Sequence, residues 1–413
     1  MRQSVCSEPC GRRRLYGAAR AVVVLVCVGV LPAVGQEASS ADDVLVFGMS
    51  TALTGPTSHL GINMRTGVLA AFEEANRAGG IHGRRLRLVA LDDGYEPDRT
   101  VVNMHKLIDE EQVLAIVGNV GTPTAVAAIP IANAMKTPFF GAYTGAGVLR
   151  KKPPDRYVIN FRASYAEETA AMVDALVDVA KIAPTEIAFF TQRDAFGDAG
   201  YVGGLAALKR HGLEDEGAIA HGRYERNTLA VENGLADILY HTPTPKAVIM
   251  VGTYAPSAEF IRLAKEVGLD ALFLNVSFVG VEALLGLLGK TGDGTIGTQV
   301  VPHYRAELQI VQEHRAALKA LDTSPPPTSG SLEGYIVGRI LCRALAAIDG
   351  RPTRESIVDA LESLGEFDLG LGVPLHLGPD NHQACHRVWP TAFRDGELVP
   401  FDWTELAVDV GGD

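Results

Sequence analysis

The chain has 413 residues, 47% of them hydrophobic and 21% charged, which excludes a disordered chain and suits two ordinary domains better than one. Its 37 basic and 49 acidic residues leave a formal net charge of −12. No basic run interleaved with aromatic residues offsets that balance, which argues against a nucleic-acid partner.

In chain order, the first segment stands apart from the rest. Arg12, Arg13, Arg14 and Arg20 precede an apolar run from Ala21 to Leu31, and Ala33 and Gly35 are the small residues of a cut after Gly35. The run is shorter than the ~20 residues needed to span a bilayer. The pattern is that of a secretory signal peptide, so residues 1–35 are expected to be removed and the mature chain to be periplasmic. A membrane anchor fits less well because the run is short. Lipid attachment at Cys27 fits less well because Val26 before it is bulky. Of the five cysteines only Cys342 and Cys385 outlast the cut, and both are expected to be unpaired.

After a polar spacer, residues 36–43, strands and helices alternate. The apolar runs predict strands over Val44–Ser50, Arg85–Asp93, Val113–Val117 and Pro138–Gly141. Between them, helical spacing predicts helices over Met64–Ala78, Pro97–Glu110 and Pro123–Met135. The pattern then restarts. Helices are expected over Tyr165–Ala180, Asp198–His211, Ala230–Tyr240 and Pro256–Val267, with strands over Glu186–Thr191, Ala247–Val251 and Leu272–Val276. Near-continuous apolar strands separated by helices imply an α/β chain with two doubly wound parallel sheets.

In such sheets ligands gather beyond the carboxyl ends of the strands. The ends here are small and polar, at Ser50-Thr51, Asp92-Asp93-Gly94, Gly118 to Thr122, Gly141 to Thr144, Thr191-Gln192, Gly252-Thr253 and Ser277. The stretch VGNVGTPTAVA stops a strand abruptly and starts a helix, with Thr122 as the expected N-cap and Pro123 first in the helix. Such a start attracts an anion. A phosphate is disfavoured, because no G-x-x-x-x-G-K-[ST] or G-x-G-x-x-G pattern is present, and no G-x-S-x-G elbow suggests a hydrolase. His382 and His386 in HQACH have zinc-like spacing, yet on a strand they stand too far apart to share one ion, so no metal and no cofactor are expected. What remains is a carboxylate cup formed by Thr122, Thr124, Ala125 and Thr144, or simply a helix cap and a turn.

These residues resemble those of the solute-binding proteins of branched-chain amino-acid ABC importers, the leucine/isoleucine/valine-binding family. The resemblance is carried by STALTGPTSHLG, by GVLAAFEEANRAGGIHGRRLRLVALDDGYEP, by AIVGNVGTPTAVAAIPIANAMKTPFFGAYTGA and by TQRDAFGDAG, in that order. It runs over essentially the whole mature chain. It implies two doubly wound lobes, residues 44–161 with 301–371 and 162–300 with 372–413, closing by hinge motion. It implies three crossings near Arg162, near Val300–His303 and near Gly370–Val373. The ligand carboxylate would be held at Gly121 and Thr122, with Ala142, Tyr143 and Thr144 beside them. Phe196 and Tyr254, or Thr253, would approach from the second lobe.

Amino-acid binders of this family place an acidic residue where the alignment puts Ser277, followed here by Phe278. Burying an ammonium without its carboxylate is costly, unless Asp92, Asp93 or Glu168 takes that part. Phe196, Tyr143, Tyr165 and Phe278 suit an apolar pocket equally well as core packing. The expectation is a periplasmic, monomeric binder of a small amino-acid-like, amide or carboxylate solute, delivering it to a membrane ABC permease and not acting as an enzyme. A ligand sensor of the same fold and an exported hydrolase are the alternatives.

Overall fold

The computed structural model describes residues 44–407; the expected signal peptide and spacer lie outside the described residues. The first sheet is built from β1 (Val44–Thr51), β2 (Arg85–Asp92), β3 (Ile116–Val117), β4 (Phe139–Phe140) and β5 (Val158–Ile159). It runs in the order β2-β1-β3-β4-β5 and every pairing is parallel. Its connecting helices are α1 (Ser58–Arg77), α2 (Pro97–His105) and α3 (Thr122–Ala134).

The second lobe opens with α4 (Tyr165–Asp174), then β6 (Ile187–Gln192), α5 (Ala195–Arg210), β7 (His221–Tyr224), α6 (Glu232–Leu239) and β8 (Ala247–Val251). It continues through α7 (Tyr254–Glu266), β9 (Leu272–Asn275), α8 (Val281–Leu288) and β10 (Ile296–Gln299). All five residues of β8, Ala-Val-Ile-Met-Val, are buried, as expected for a strand covered on both faces.

The chain then returns to the first lobe as α9 (Gln309–Lys319), α10 (Ser329–Ala346) and α11 (Arg354–Glu362), with α9 and α10 packed on α1. A hairpin follows, β11 (Gly365–Phe367) with β12 (Leu375–Leu377), before β13 (Trp389–Arg394) and β14 (Glu397–Pro400) close the second sheet. That sheet runs β14-β13-β10-β9-β8-β6-β7, parallel except for the antiparallel pairings of β13 with β10 and β14. Among the described residues no helix is long and apolar enough to cross a membrane.

The polypeptide therefore passes between the sheets at residues 160–164, at 300–308 and again between His382 and Trp389. The third passage comes later than the Gly370–Val373 suggested by resemblance. Gly370 and Gly372, with φ of 76° and 78°, turn the β11–β12 hairpin instead, and His382 Nδ1 is still tied to the first lobe at Val158 O, 2.9 Å away. The first and third passages are bonded to each other. Asn160 N donates to His382 O at 2.7 Å and Ala384 N donates to Asn160 O at 3.0 Å. A shared backbone ladder lets these strands bend together as one hinge.

Several boundaries differ from the sequence expectation. The helix expected from Met64 begins at Ser58, because Leu60 and Gly61 are buried against the end of β1. A Cβ at Gly61 would stand 1.9 Å from Ala52 O. The strand expected over Val113–Val117 pairs only at Ile116–Val117, and β7, a short His-Gly-Arg-Tyr edge strand, gave no apolar signal at all. Residues Lys106–Glu110 and Ala175–Val179 end their helices as π-helical turns. Cys342 and Cys385 are free, as expected.

The α1–α10 contact depends on missing side chains. A Cβ at Gly67 would meet Ser331 O at 2.0 Å, and one at Gly334 would meet Met64 O at 2.3 Å, so backbone lies on backbone. Gly67→Ala is expected to cost about 1–3 kcal/mol by overpacking. Gly286→Ala, where the space is open, leaves the melting temperature unchanged or raises it. Paired thermal melts check both.

Candidate ligand cleft

The loop between β3 and α3 holds Gly118 and Gly121 at φ of 69° and 106°. Gly121, not Thr122, is the N-cap, so Thr122 is the first residue of the helix and Pro123 the second. A Cβ at Gly121 would stand 2.2 Å from the Tyr95 ring, so packing and backbone both demand glycine. The shift by one residue changes what Thr122 does. Its hydroxyl does not cap the helix; it lies 2.7 Å from Thr144 Oγ1. Thr124 Oγ1 turns back to Val120 O at 2.6 Å. α3 begins with no side-chain cap and no acidic residue, leaving the first-turn N–H groups of Thr122 and Thr124 without intrahelical partners.

Two backbone bonds bring the second threonine here. Tyr143 N donates to Asn119 O at 2.7 Å and Gly121 N donates to Tyr143 O at 3.2 Å, stitching the β3 and β4 loops together. Ala142, Tyr143 and Thr144 are all buried, and Thr144 Oγ1 also accepts from Ala146 N at 3.3 Å, closing its own turn. Thr144 therefore closes its own turn and also meets Thr122.

From the second lobe, Phe196 enters on the first turn of α5, oriented by Asp194 Oδ1, which accepts from Phe196 N at 2.9 Å. Its ring packs on Phe278 at 4.6 Å and Tyr165 at 5.3 Å. Phe278 reaches across to the first lobe, 5.5 Å from Tyr143 and 6.0 Å from Tyr95. Tyr254 is half-buried at the start of α7, edge-on to His59 at 5.9 Å; its ring contact is with α1, not with the threonine pair.

Ser277 is not free. Its N–H and its hydroxyl both donate to Glu168, at 2.7 and 2.9 Å, and Thr298 Oγ1 donates to the same carboxylate at 2.5 Å. The other acids proposed as ammonium partners are equally engaged. Asp93 accepts from Ser50, Tyr95 N and Thr100. Asp92 accepts from Leu53 N, Thr54, Gly94 N and Arg99. Burial opposes ionisation of Asp92, but those hydrogen bonds outweigh it and hold its pKa below the ordinary range.

The centre of this arrangement is Arg162, on the first passage between lobes and 0% exposed. It lies 3.7 Å from Glu168 of the second lobe and 3.6 Å from Glu333 of α10 in the first. Its Nη2 donates to Ser277 Oγ, its guanidinium lies 4.6 Å from the Tyr143 ring centroid, and its Nε and Nη1 have no hydrogen-bond partner. The buried Tyr165 hydroxyl is likewise unpartnered. Burial pushes the Glu333 carboxyl up to about 7, against the attraction of Arg162. A second guanidinium, Arg150, donates to Gln383 Oε1, Thr144 O, Ala146 O and Arg162 O, bracing the Thr144 loop to two of the passages.

A crevice of about 840 Å³ opens beside Thr122 and Arg150, lined also by Val126, Lys151, Glu167, Val202 and His386 among others; of the residues expected to hold the ligand only Thr122 lines it, and Arg162 does not. Val126 of α3 and Val202 of α5 are 41% and 64% exposed on its opposite walls. The lobes touch at the lip. Arg226 and Asn227 each donate to Glu96 at 2.7 Å, and Gln192 Nε2 donates to Tyr95 OH at 3.2 Å. The HQACH histidines take separate partners, His382 with Glu362 and His386 with Glu167.

Sequence reasoning missed Tyr95, Arg150 and Glu333, and marked Arg162 only as a crossing. The one available signal was an arginine inside the apolar stretch YVINFRASY, where a buried charge needs partners.

Residues 45–397 match the family described as periplasmic binding protein. Leu/Ile/Val-binding protein homolog 7 of Brucella abortus is 26% identical over 91% of this chain and 95% of that one. A leucine-, isoleucine-, valine-, threonine-, and alanine-binding protein of Pseudomonas aeruginosa is 24% identical over 63% of this chain and 67% of that one. Among solved structures, a possible leucine/isoleucine/valine-binding protein from Rhodopirellula baltica superposes with a TM-score of 0.87 at 56% identity, covering 90% of this chain and 100% of that one.

The Glu333 environment gives a pH test. The native carboxyl keeps its proton to about pH 7, whereas the unfolded chain releases it near 4.5. Its contribution to stability therefore falls as pH rises from 4.5 to 7, by at most roughly 3 kcal/mol. In urea denaturation across that window, the stability of the parent protein relative to Glu333→Gln is expected to decline with rising pH.

Proposed function

We propose a solute-capture role for this chain, which belongs to the periplasmic binding protein family. It binds a small amino-acid-like, amide or carboxylate solute between its lobes and hands it to a membrane ABC permease. The observation that carries this reading is the Thr122–Thr144 hydroxyl pair at the uncapped start of α3, beside a crevice between two sheets that share three backbone passages.

The physical argument is short. A carboxylate or amide oxygen needs donors, and a helix start with two hydroxyls offers them without the desolvation cost of a surface lysine. The solute also touches both lobes, so its binding favours the closed arrangement that the lip contacts already describe. The permease then reads the closed surface. In this reading the first lobe is residues 44–161 with 301–383 and the second is 162–300 with 384–407. Gly121, Thr122, Ala142, Tyr143 and Thr144 contact the solute from one side, and Phe196, Tyr254 and Ser277 from the other. The mature protein works as a monomer in the periplasm after cleavage near Gly35 and carries out no chemistry. Neither the cleft nor the relatives above favour the sensor or hydrolase alternatives.

The test is a thermal-shift and calorimetric screen of amino acids, amides and organic acids on the purified mature chain, since a ligand of the folded form raises its melting temperature. At least one compound is expected to bind. Thr122→Ala and Thr144→Ala are each expected to weaken that compound by about 10–100-fold, the range for a hydrogen bond to a charged group. Turnover of the bound compound, or unchanged affinity in both variants, overturns the reading.

A further inference from the structure

We infer that the cleft selects a monocarboxylate with an apolar body and no ammonium group, its charge answered by Arg162 together with the Thr122–Thr144 hydroxyls and the open start of α3. The inference rests on the solute-capture reading and specifies its ligand class.

The acids come first. A buried ammonium needs a carboxylate with lone pairs to spare. Glu168 already accepts three hydrogen bonds from Ser277 and Thr298 and faces Arg162 at 3.7 Å. Asp92 and Asp93 each hold their own loop, through the donors described above. Glu282 of α8 accepts from Ser329 N at 2.6 Å. Glu333 Oε1 has no hydrogen-bond partner, but Arg162 Nε is 3.6 Å from it. An ammonium placed there would press against a guanidinium, beside a carboxyl that burial inclines to keep its proton. No carboxylate around Ser277 is left to take the part of the family's acidic residue.

The donors show the opposite excess. Arg162 is fully buried with Nε and Nη1 unpartnered, and the Tyr165 hydroxyl beside it is unpartnered too. The guanidinium lies 4.6 Å from the ring of Tyr143, the residue next to Thr144. Arg150, the second guanidinium, spends all four of its hydrogen bonds on uncharged oxygens. In the crevice Glu167 is engaged by Ser164, Gln383 and His386 and Asp198 by Arg223. At the Arg162 end, two cations meet one engaged carboxylate, one carboxyl inclined to neutrality and an uncapped helix start, which leaves that end short of negative charge. An anion supplies it and a zwitterion supplies it only with an unpaired cation attached. The facing valines of α3 and α5 give the apolar body its wall.

Matched compounds on the parent protein provide the test, so no variant has to fold. Isothermal titration would compare 4-methylpentanoate, leucine, 4-methylpentanamide and 3-methylbutylamine, with phenylacetate and phenylalanine as an aromatic pair. The acid of at least one pair is expected to bind about 100-fold or more tighter than its amino-acid partner, the scale for leaving one buried charge unpaired. The amine is expected not to bind. Arg162→Gln is expected to lose the acid. If the tightest compound of the wider panel carries an ammonium or lacks a carboxylate, the inference falls and solute capture stands. If nothing in the panel binds, capture fails and this inference with it.

Discussion

A single guanidinium ties this molecule together. Arg162 leaves the first sheet on the first passage and is enclosed by a glutamate from each lobe, Glu333 on α10 and Glu168 on α4. A charge with no exposure is tolerated only if its surroundings answer it, and here they do so incompletely, leaving Nε and Nη1 without hydrogen bonds. Glu168 in turn fixes Ser277, which precedes Phe278, the ring that joins the aromatic groups of both lobes. Removing the arginine would therefore leave Glu168 without its facing charge and loosen the seam.

The same seam joins the two sheets while keeping the site organised. Each sheet has its own buried strands. The first and third passages share hydrogen bonds at Asn160, His382 and Ala384. Arg150 anchors the Thr144 loop to that pair of strands through Arg162 O and Gln383. Motion is thereby confined to a few backbone dihedrals between well-packed bodies, which is the geometry of a hinge. At the far lip the contacts are side-chain hydrogen bonds and ion pairs such as Glu96 with Arg226, partly exposed and cheap to break. Strong bonds at the hinge and weak ones at the lip suit a cleft that opens.

The chain's likeness to leucine/isoleucine/valine-binding proteins extends to its architecture more securely than to its ligand. Fold depends on hundreds of contacts, whereas the sign of the preferred charge turns on a few groups. Here Ser277 and Glu168 are bound to each other at the end of β9, and a change there alters the local charge without disturbing a strand.

The sequence by itself determined the α/β class, the two mainly parallel sheets and most helix and strand positions. These follow from local signals: apolar runs, helical spacing, and glycine or proline at strand ends. It misplaced the N-cap by one residue, since Gly121 in a left-handed conformation and a threonine in the next position look alike on paper. It missed β7, whose edge position asks for little apolar surface, and the resemblance placed a passage between lobes near Gly370–Val373, where the chain instead turns the β11–β12 hairpin. Only the tertiary structure decided the roles of Arg162, Glu168 and Glu333, because their partners lie far away along the chain. A buried charge is defined by what surrounds it, and that is settled only when the lobes come together.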